Sequence, residues 1–437
     1  MAQLTLLIMS VILILAVVAL GRTKRANFDM LDAYFLMVML YFGVYSIIDA
    51  VINEAVGKDA TVVVLTFILI FFAMLVTWWL YLVVLPSKFR RVLRFNNLIE
   101  QWANVDRKTI TLLAALFFAF NGYLFIEFGM ITYVGTELEL LSISLPTWVG
   151  PLKNLMSAIG FSCYVSIVAS MIKGRTRIFS LYSLLMLALM IVLSLDGRRA
   201  FIELILIAFI LWSCFRRENV YSFKHFTRGI IMLIAYILLS NIYQTYRVEI
   251  FSIQSRINGG DVTSLSDAAV NIDATIDNYQ QRLAMWNFNY MITDEQVKNP
   301  LKIYWGALGW QSLLNSVPRV VWDSKEVVDM DEMVANLYGF AVEDYPSNDF
   351  ASFQSDFGIL MIAFLPIVNI LVLLVASYSC SVTNKHSALA LLIPILCLEY
   401  LIKIENAYGV IFILFIDILL IMALWSIAMV LRRRIRV

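Results

Sequence analysis

Residues 61–85 read TVVVLTFILIFFAMLVTWWLYLVVL, an apolar run without a single charged residue, glycine or proline. An α-helix rises about 1.5 Å per residue, so this run is long enough to cross the roughly 30 Å hydrocarbon core of a bilayer. It is too long for a strand and too evenly apolar for a surface helix, which would carry its apolar residues on one stripe. Similar runs recur on both sides. About eleven qualify as candidate spans: 2–21, 31–52, 61–85, 110–134, 155–172, 178–196, 200–215, 229–246, 356–379, 388–405 and 410–431. The runs 178–196 and 200–215 are read as two helices, because a single helix would place Asp196, Arg198 and Arg199 at its centre.

Composition agrees. Of 437 residues, 61% are hydrophobic and 15% charged, with a mean hydropathy of +0.82. Soluble domains carry roughly 45–50% apolar and about 25% charged residues, so an ordinary soluble protein is excluded. The expected fold is an all-α polytopic integral membrane protein. The 33 Lys+Arg nearly cancel the 32 Asp+Glu, which argues against a nucleic-acid partner. Cys163, Cys214, Cys380 and Cys397 fall within or at the ends of apolar runs, where cysteine acts as a small hydrophobe. With no CxxC and only His225 and His386, no zinc site is expected. Arg22, Lys24 and Arg25 follow the first apolar run and no basic residue precedes it, so that run reads as a retained span and not a cleaved leader.

Charge placement gives the orientation. With the N-terminus outside, the segments between spans put 21 Lys/Arg inside and 12 outside, and over short connections alone the bias is 21 to 5. Arg432-Arg433-Arg434-Ile435-Arg436 then lies in the cytoplasm. The chain divides into an N-terminal bundle (1–246), a long outward loop (247–355) and a C-terminal set of spans (356–437). The loop carries 15 Asp+Glu against 7 Lys+Arg. A connection of that size is usually functional and structured. Within it Tyr279, Arg282, Leu283, Trp286 and Tyr290 recur at helical spacing, while Gly259-Gly260-Asp261 and Tyr345-Pro346-Ser347-Asn348 read as breaks.

No Walker loop, GxGxxG, GxSxG or HExxH occurs. Asp329-Met330-Asp331 has the spacing of a DxD metal motif, but such spacing arises by chance in an acidic loop. The unusual residues are cations on the outward side: Arg198 and Arg199 between two spans, Arg247 after the eighth, then Arg282, Arg319 and Lys325 in the loop. Positive charge against the inside bias calls for a reason, and a lipid-borne diphosphate supplies one, since guanidinium offers forked donors to phosphate oxygens. Tyr246, Trp286 and Trp322 lie near these cations and offer aromatic faces for sugar. Simpler readings stand beside this one: snorkelling, interfacial tryptophans, and ion pairs such as Arg198 with Asp196 or Arg319 with Asp323. Glu399 and Lys403 are spaced to pair on one helix, and Asp417 lies inside the last span.

Asp196-Gly197-Arg198-Arg199-Ala200-Phe201 is similar to the Gly-Ser-Arg-Gly/Ala turn of the Wzy-type O-antigen or capsule repeat-unit polymerases. Aligned on Gly197, Arg199 takes the family arginine's place and Arg198 replaces the serine. Val317-Pro318-Arg319-Val320-Val321-Trp322-Asp323-Ser324-Lys325 resembles the family's Pro-Arg…Trp-Pro-x-Lys stretch, with Asp323 where the proline would stand. Ser347-Asn348-Asp349-Phe350…Asp356-Phe357-Gly358 resembles the approach to the following span.

The resemblance implies a GT-C-like glycosyltransferase of the bacterial inner membrane with a periplasmic N-terminus. It would join undecaprenyl-diphosphate-linked oligosaccharides at the periplasmic face without metal or other cofactor, with membrane lipid and a chain-length regulator as further partners. Arg199, with Arg247 or Arg319 opposite, would take the diphosphate. Arg198, Arg282, Lys325, Tyr246, Trp286 and Trp322 would hold substrate. Asp273, Asp277, Glu249 and Asp349 are all open as a general base. Two other classes fit the same architecture: an O-antigen ligase, which usually carries a periplasmic loop histidine that this loop lacks, and a lipid-linked oligosaccharide flippase or other transporter.

Overall fold

A computed structural model of the chain describes residues 1–23, 28–52, 58–128, 149–174, 181–194, 198–215, 285–317, 321–322, 328, 330–340, 348–382, 388–403 and 409–435. Among them every regular element is helical. The bundle begins with α1 (Ala2–Thr23), α2 (Met30–Val38) and α3 (Tyr45–Ile52), the last two joined by a π-helical turn at Met39–Val44. Next come α4 (Ala60–Val84), the short α5 (Ser87–Val92) and α6 (Phe95–Ala103), and α7 (Arg107–Phe128). Then follow α8 (Val149–Ile172), α9 (Leu181–Ser194) and α10 (Arg198–Phe215). The loop contributes α11 (Met285–Lys298), α12 (Ala307–Ser316), α13 (Met330–Tyr338) and α14 (Asp349–Phe357). The chain ends in α15 (Met361–Val382), α16 (Ala388–Ile402) and α17 (Gly409–Ile435).

Six helices or helix runs are long and apolar enough to cross a membrane: Ala2–Gly21, Met30–Val51, Ala60–Val84, Arg107–Glu127, Leu152–Ile172 and Asp349–Ser381. Shorter apolar helices lie at Leu181–Leu193, Leu392–Ile402 and Ile411–Ala423. Each candidate span read from the sequence coincides at least in part with a described helix except 229–246, which lies outside the described residues. Residues 178–215 form two helices, α9 and α10, that pack against each other. Glu399 and Lys403 form the expected ion pair.

Helix α8 is the centre. It packs against α6, α7, α9, α10 and α16, and 78% of its apolar window is buried, against 28% for α1 at the periphery. On α1, Leu6, Leu13 and Val17 form the buried stripe, while Leu4, Ile8, Val11, Ile12 and Leu15 are exposed. Apolar residues all round a peripheral helix are what lipid tolerates and water does not. Helices approach closely at small residues. A Cβ on Gly160 of α8 would stand 2.7 Å from the Phe117 ring of α7, and one on Gly43 2.7 Å from Ile14 of α1.

Hydrogen bonds fix which connections share an end. At what we term the basal end, Phe95 N–H donates to the Phe28 carbonyl (3.0 Å), Ser166 Oγ donates to the Trp102 carbonyl (2.8 Å), and the Arg107 guanidinium lies 5.8 Å from the Tyr182 ring centre. Asp29 organises this end. Its carboxylate accepts from the Leu31 and Asp32 N–H groups, capping α2, and from the Tyr81 hydroxyl at 2.6 Å. Described residues of the connections 21–30 and 86–109 thus meet at one end. Lys58 and Asp59 stand at the other, with α11–α14.

The boundary at the end of the loop differs from the sequence reading. Residues 349–355 were expected to be loop and 356–379 a span, but α14 begins inside the bundle. Asn348, Asp349 and Phe350 are buried, and the Phe350 ring meets Phe42 at 5.1 Å beside the π-helical turn. The chain then turns at Gly358 (φ 55°) into α15. The polar residues of α14 tolerate burial because their amides pair with those of α11, which periodicity alone does not reveal.

Candidate functional site

Helices α11–α14 form a cap over the end of the bundle that carries Asp49 and Lys58. The inner face of α11 is Met285, Trp286, Phe288, Asn289, Tyr290, Ile292 and Thr293, all buried. Trp286 is fully enclosed; its indole N–H donates to Asp49 Oδ2 at 2.7 Å. Lys58 Nζ sits 4.2 Å from the Trp286 ring centre and 5.6 Å from that of Tyr290, a cation–π arrangement. Asp59 N–H donates to the Tyr290 hydroxyl at 2.8 Å, so the start of α4 is held by α11. Burial pulls the Lys58 ammonium below the ordinary lysine range, and the Asp49 carboxylate opposes that shift.

A second layer joins α11 to α14. The amides of Asn289 and Asn348 meet at 2.9 Å. Gln354 Nε2 donates to Thr293 Oγ1 (2.9 Å), while Gln296 Nε2 donates to the Gln354 carbonyl (2.9 Å) and to the Tyr338 hydroxyl (2.8 Å). Burial pushes the Tyr338 phenol up to about 12. Asp356 supplies the third layer. Its carboxylate accepts from the N–H groups of Gly306 (3.1 Å), Leu308 (3.0 Å) and Gly309 (2.8 Å), and so caps α12. Lys302 links Glu295 (3.1 Å) to the Tyr338 carbonyl (3.2 Å), and hydrogen bonds from Lys298 and Lys302 hold the Glu295 carboxyl below its usual range.

The nine site residues expected from the sequence fall into three groups. Arg198 and Arg199 are the first two residues of α10. Helix α9 starts beside Arg107 at the basal end and α10 packs back along it and against α6, so the first turn of α10 points toward the cap end. Trp286 is buried against Asp49 and Lys58, leaving no open ring face for sugar in this conformation; Trp322 is 43% exposed. Arg247, Arg282, Arg319, Lys325 and Tyr246 lie outside the described residues, as does Asp329 of the possible metal pair. Of the four carboxylates open as a base, Asp349 is described: it is buried as the first residue of α14, and its Oδ1 has no hydrogen-bond partner among the described residues. Glu249, Asp273 and Asp277 lie outside.

Sequence reasoning missed Lys58 as a member of the site. Its signal was present: it is a cation in a short connection on the side where short connections are poor in them. The Asn289–Asn348 and Gln354–Thr293 contacts had no such signal. Together these features define a multi-pass α-helical membrane protein with a helical cap at one end. No protein-family model, curated protein or solved structure matches the chain.

Proposed function

We propose that the protein is a glycosyltransferase of the Wzy-type polymerase kind, joining undecaprenyl-diphosphate-linked oligosaccharide units at the periplasmic face of the inner membrane. One observation carries this reading. The Arg198-Arg199 pair opens α10 on the side of the bundle that bears the cap. A helix N-terminus presents free N–H groups and a partial positive charge, and two guanidiniums there suit a diphosphate. Arg199, with Arg247 or Arg319, neutralises charge on the polyprenyl diphosphate as it leaves the anomeric carbon. A hydroxyl of the second lipid-linked unit attacks that carbon and gives up its proton to a carboxylate or to water. The sugar–diphosphate bond that breaks supplies the driving force.

The test is the glycan profile of a deletion strain. Single repeat units on the lipid core are the expected result. Accumulated lipid-linked polymer would instead indicate a ligase, and units left on the cytoplasmic side a flippase.

A further inference from the structure

The connection from α11 to α12 and the first turn of α12 carry large apolar side chains on their outside. Leu301, Trp305 and Trp310 are 73%, 66% and 62% exposed, and Trp305 holds a positive φ of 53° that side-chain-bearing residues rarely adopt. This elbow rests on the end of α14, just before α15 begins. Tyr304 N–H donates to the Ser355 carbonyl at 2.9 Å, and a Cβ built on Gly306 or Gly358 would be in ordinary van der Waals contact with Phe357 or Ile303 respectively. Directly beyond lie Ile359 and Leu360, both exposed, and then Phe364, Ile367 and Leu371, the exposed flank of α15 within the span Asp349–Ser381. The outward surface of the elbow therefore continues the apolar flank of a membrane helix.

We propose that the elbow Leu301–Trp310 lies in the membrane–water interface at the cap end, with Trp305 and Trp310 seated among lipid headgroups and upper acyl chains. Indole suits that layer because it joins a large apolar ring to one N–H donor. A glycan platform fits less well: the neighbours are Leu301, Ile359 and Leu360, which offer a sugar no hydrogen bonds. The strained Trp305 backbone directs a bulky ring outward, and lipid contact offsets the strain. The anchor would set the height of the cap above the bilayer whatever reaction the cap serves, so it stands independently of the proposed transferase activity.

The test places an environment-sensitive fluorophore on Trp305→Cys or Trp310→Cys in the full chain, reconstituted in phosphatidylcholine vesicles without glycan. Lys298→Cys is the aqueous comparison, since Lys298 is exposed on α11. The unsubstituted chain, labelled identically, gives the background from Cys163, Cys214, Cys380 and Cys397. Labels at 305 and 310 should lose emission to shallow-brominated lipid and resist aqueous iodide, with the label at 298 behaving in reverse. Iodide quenching at 305 and 310 equal to that at 298 overturns the proposal. A label-free measurement guards against a misfolded variant: brominated lipid should quench the intrinsic tryptophan emission of the unsubstituted chain more than that of Trp305→Phe/Trp310→Phe. Equal quenching of the two also overturns it.

Discussion

At the basal end Asp29 accepts a hydrogen bond from Tyr81, and at the cap end Asp49 accepts one from Trp286. The chemistry is alike: a buried aromatic donor meets a buried carboxylate. The chain separation differs, at 52 residues for the first pair and 237 for the second. Asp29 is also fixed by its own helix cap and sits beside the Phe28–Phe95 backbone bond, so the basal end is tied by neighbouring segments. The cap is tied by distant ones. Its fastenings join α11 to residues far away in the chain. The same bond thus joins closer parts of the chain at one end and distant parts at the other.

Breaking the comparison at the proposed chemistry should have the largest effect. Arg199→Ala is expected to abolish polymer in cells while the protein stays at normal level in the membrane; unchanged long chains from this variant would remove Arg199 from the site. Next in size is Asp356→Ala, which strips three N–H groups of their shared acceptor. Charged hydrogen bonds of this kind place the loss on the order of 3 kcal/mol. Limited proteolysis should show earlier cleavage around 305–310, with the bundle intact.

A sharper version uses matched variants. Trp286→Phe and Tyr81→Phe each remove one donor from a buried carboxylate, at roughly 1–3 kcal/mol. Thermal unfolding should register both, whereas polymer length should change only with Trp286→Phe. Equal effects on polymer would erase the distinction between the ends.

The smallest effect is on pH dependence. The Lys58 pKa is lowered in the folded protein, so between that value and the ordinary 10.5 the unfolded chain binds the extra proton. Stability therefore rises with pH across that window, and the burden on the cap is greatest below it. Lys58→Met should flatten the rise seen in unfolding between neutral pH and pH 10.5. A rise of undiminished slope would assign the effect to another group.

Much of the bundle was legible because membrane spans announce themselves by length and apolarity, needing no knowledge of partners. The cap was not legible in the same way. Helix α14 is polar in sequence yet buried, because Asn348 and Gln354 find their partners on α11, 59 and 61 residues away. Trp286 reads in sequence as a substrate-binding residue on an aromatic face, and the structure places its ring against Lys58 with its N–H on Asp49. Periodicity identifies a face and does not say what covers it.

The most direct measurement takes the purified chain in lipid nanodiscs, supplied only with undecaprenyl-diphosphate-linked repeat units, and follows product mass over time. Products lengthening by whole repeat units, with one polyprenyl diphosphate released per bond and none formed by Arg199→Ala, are the predicted result. A well-folded preparation that leaves the lipid-linked units unjoined, or an Arg199→Ala protein that joins them as fast as the original, would contradict it.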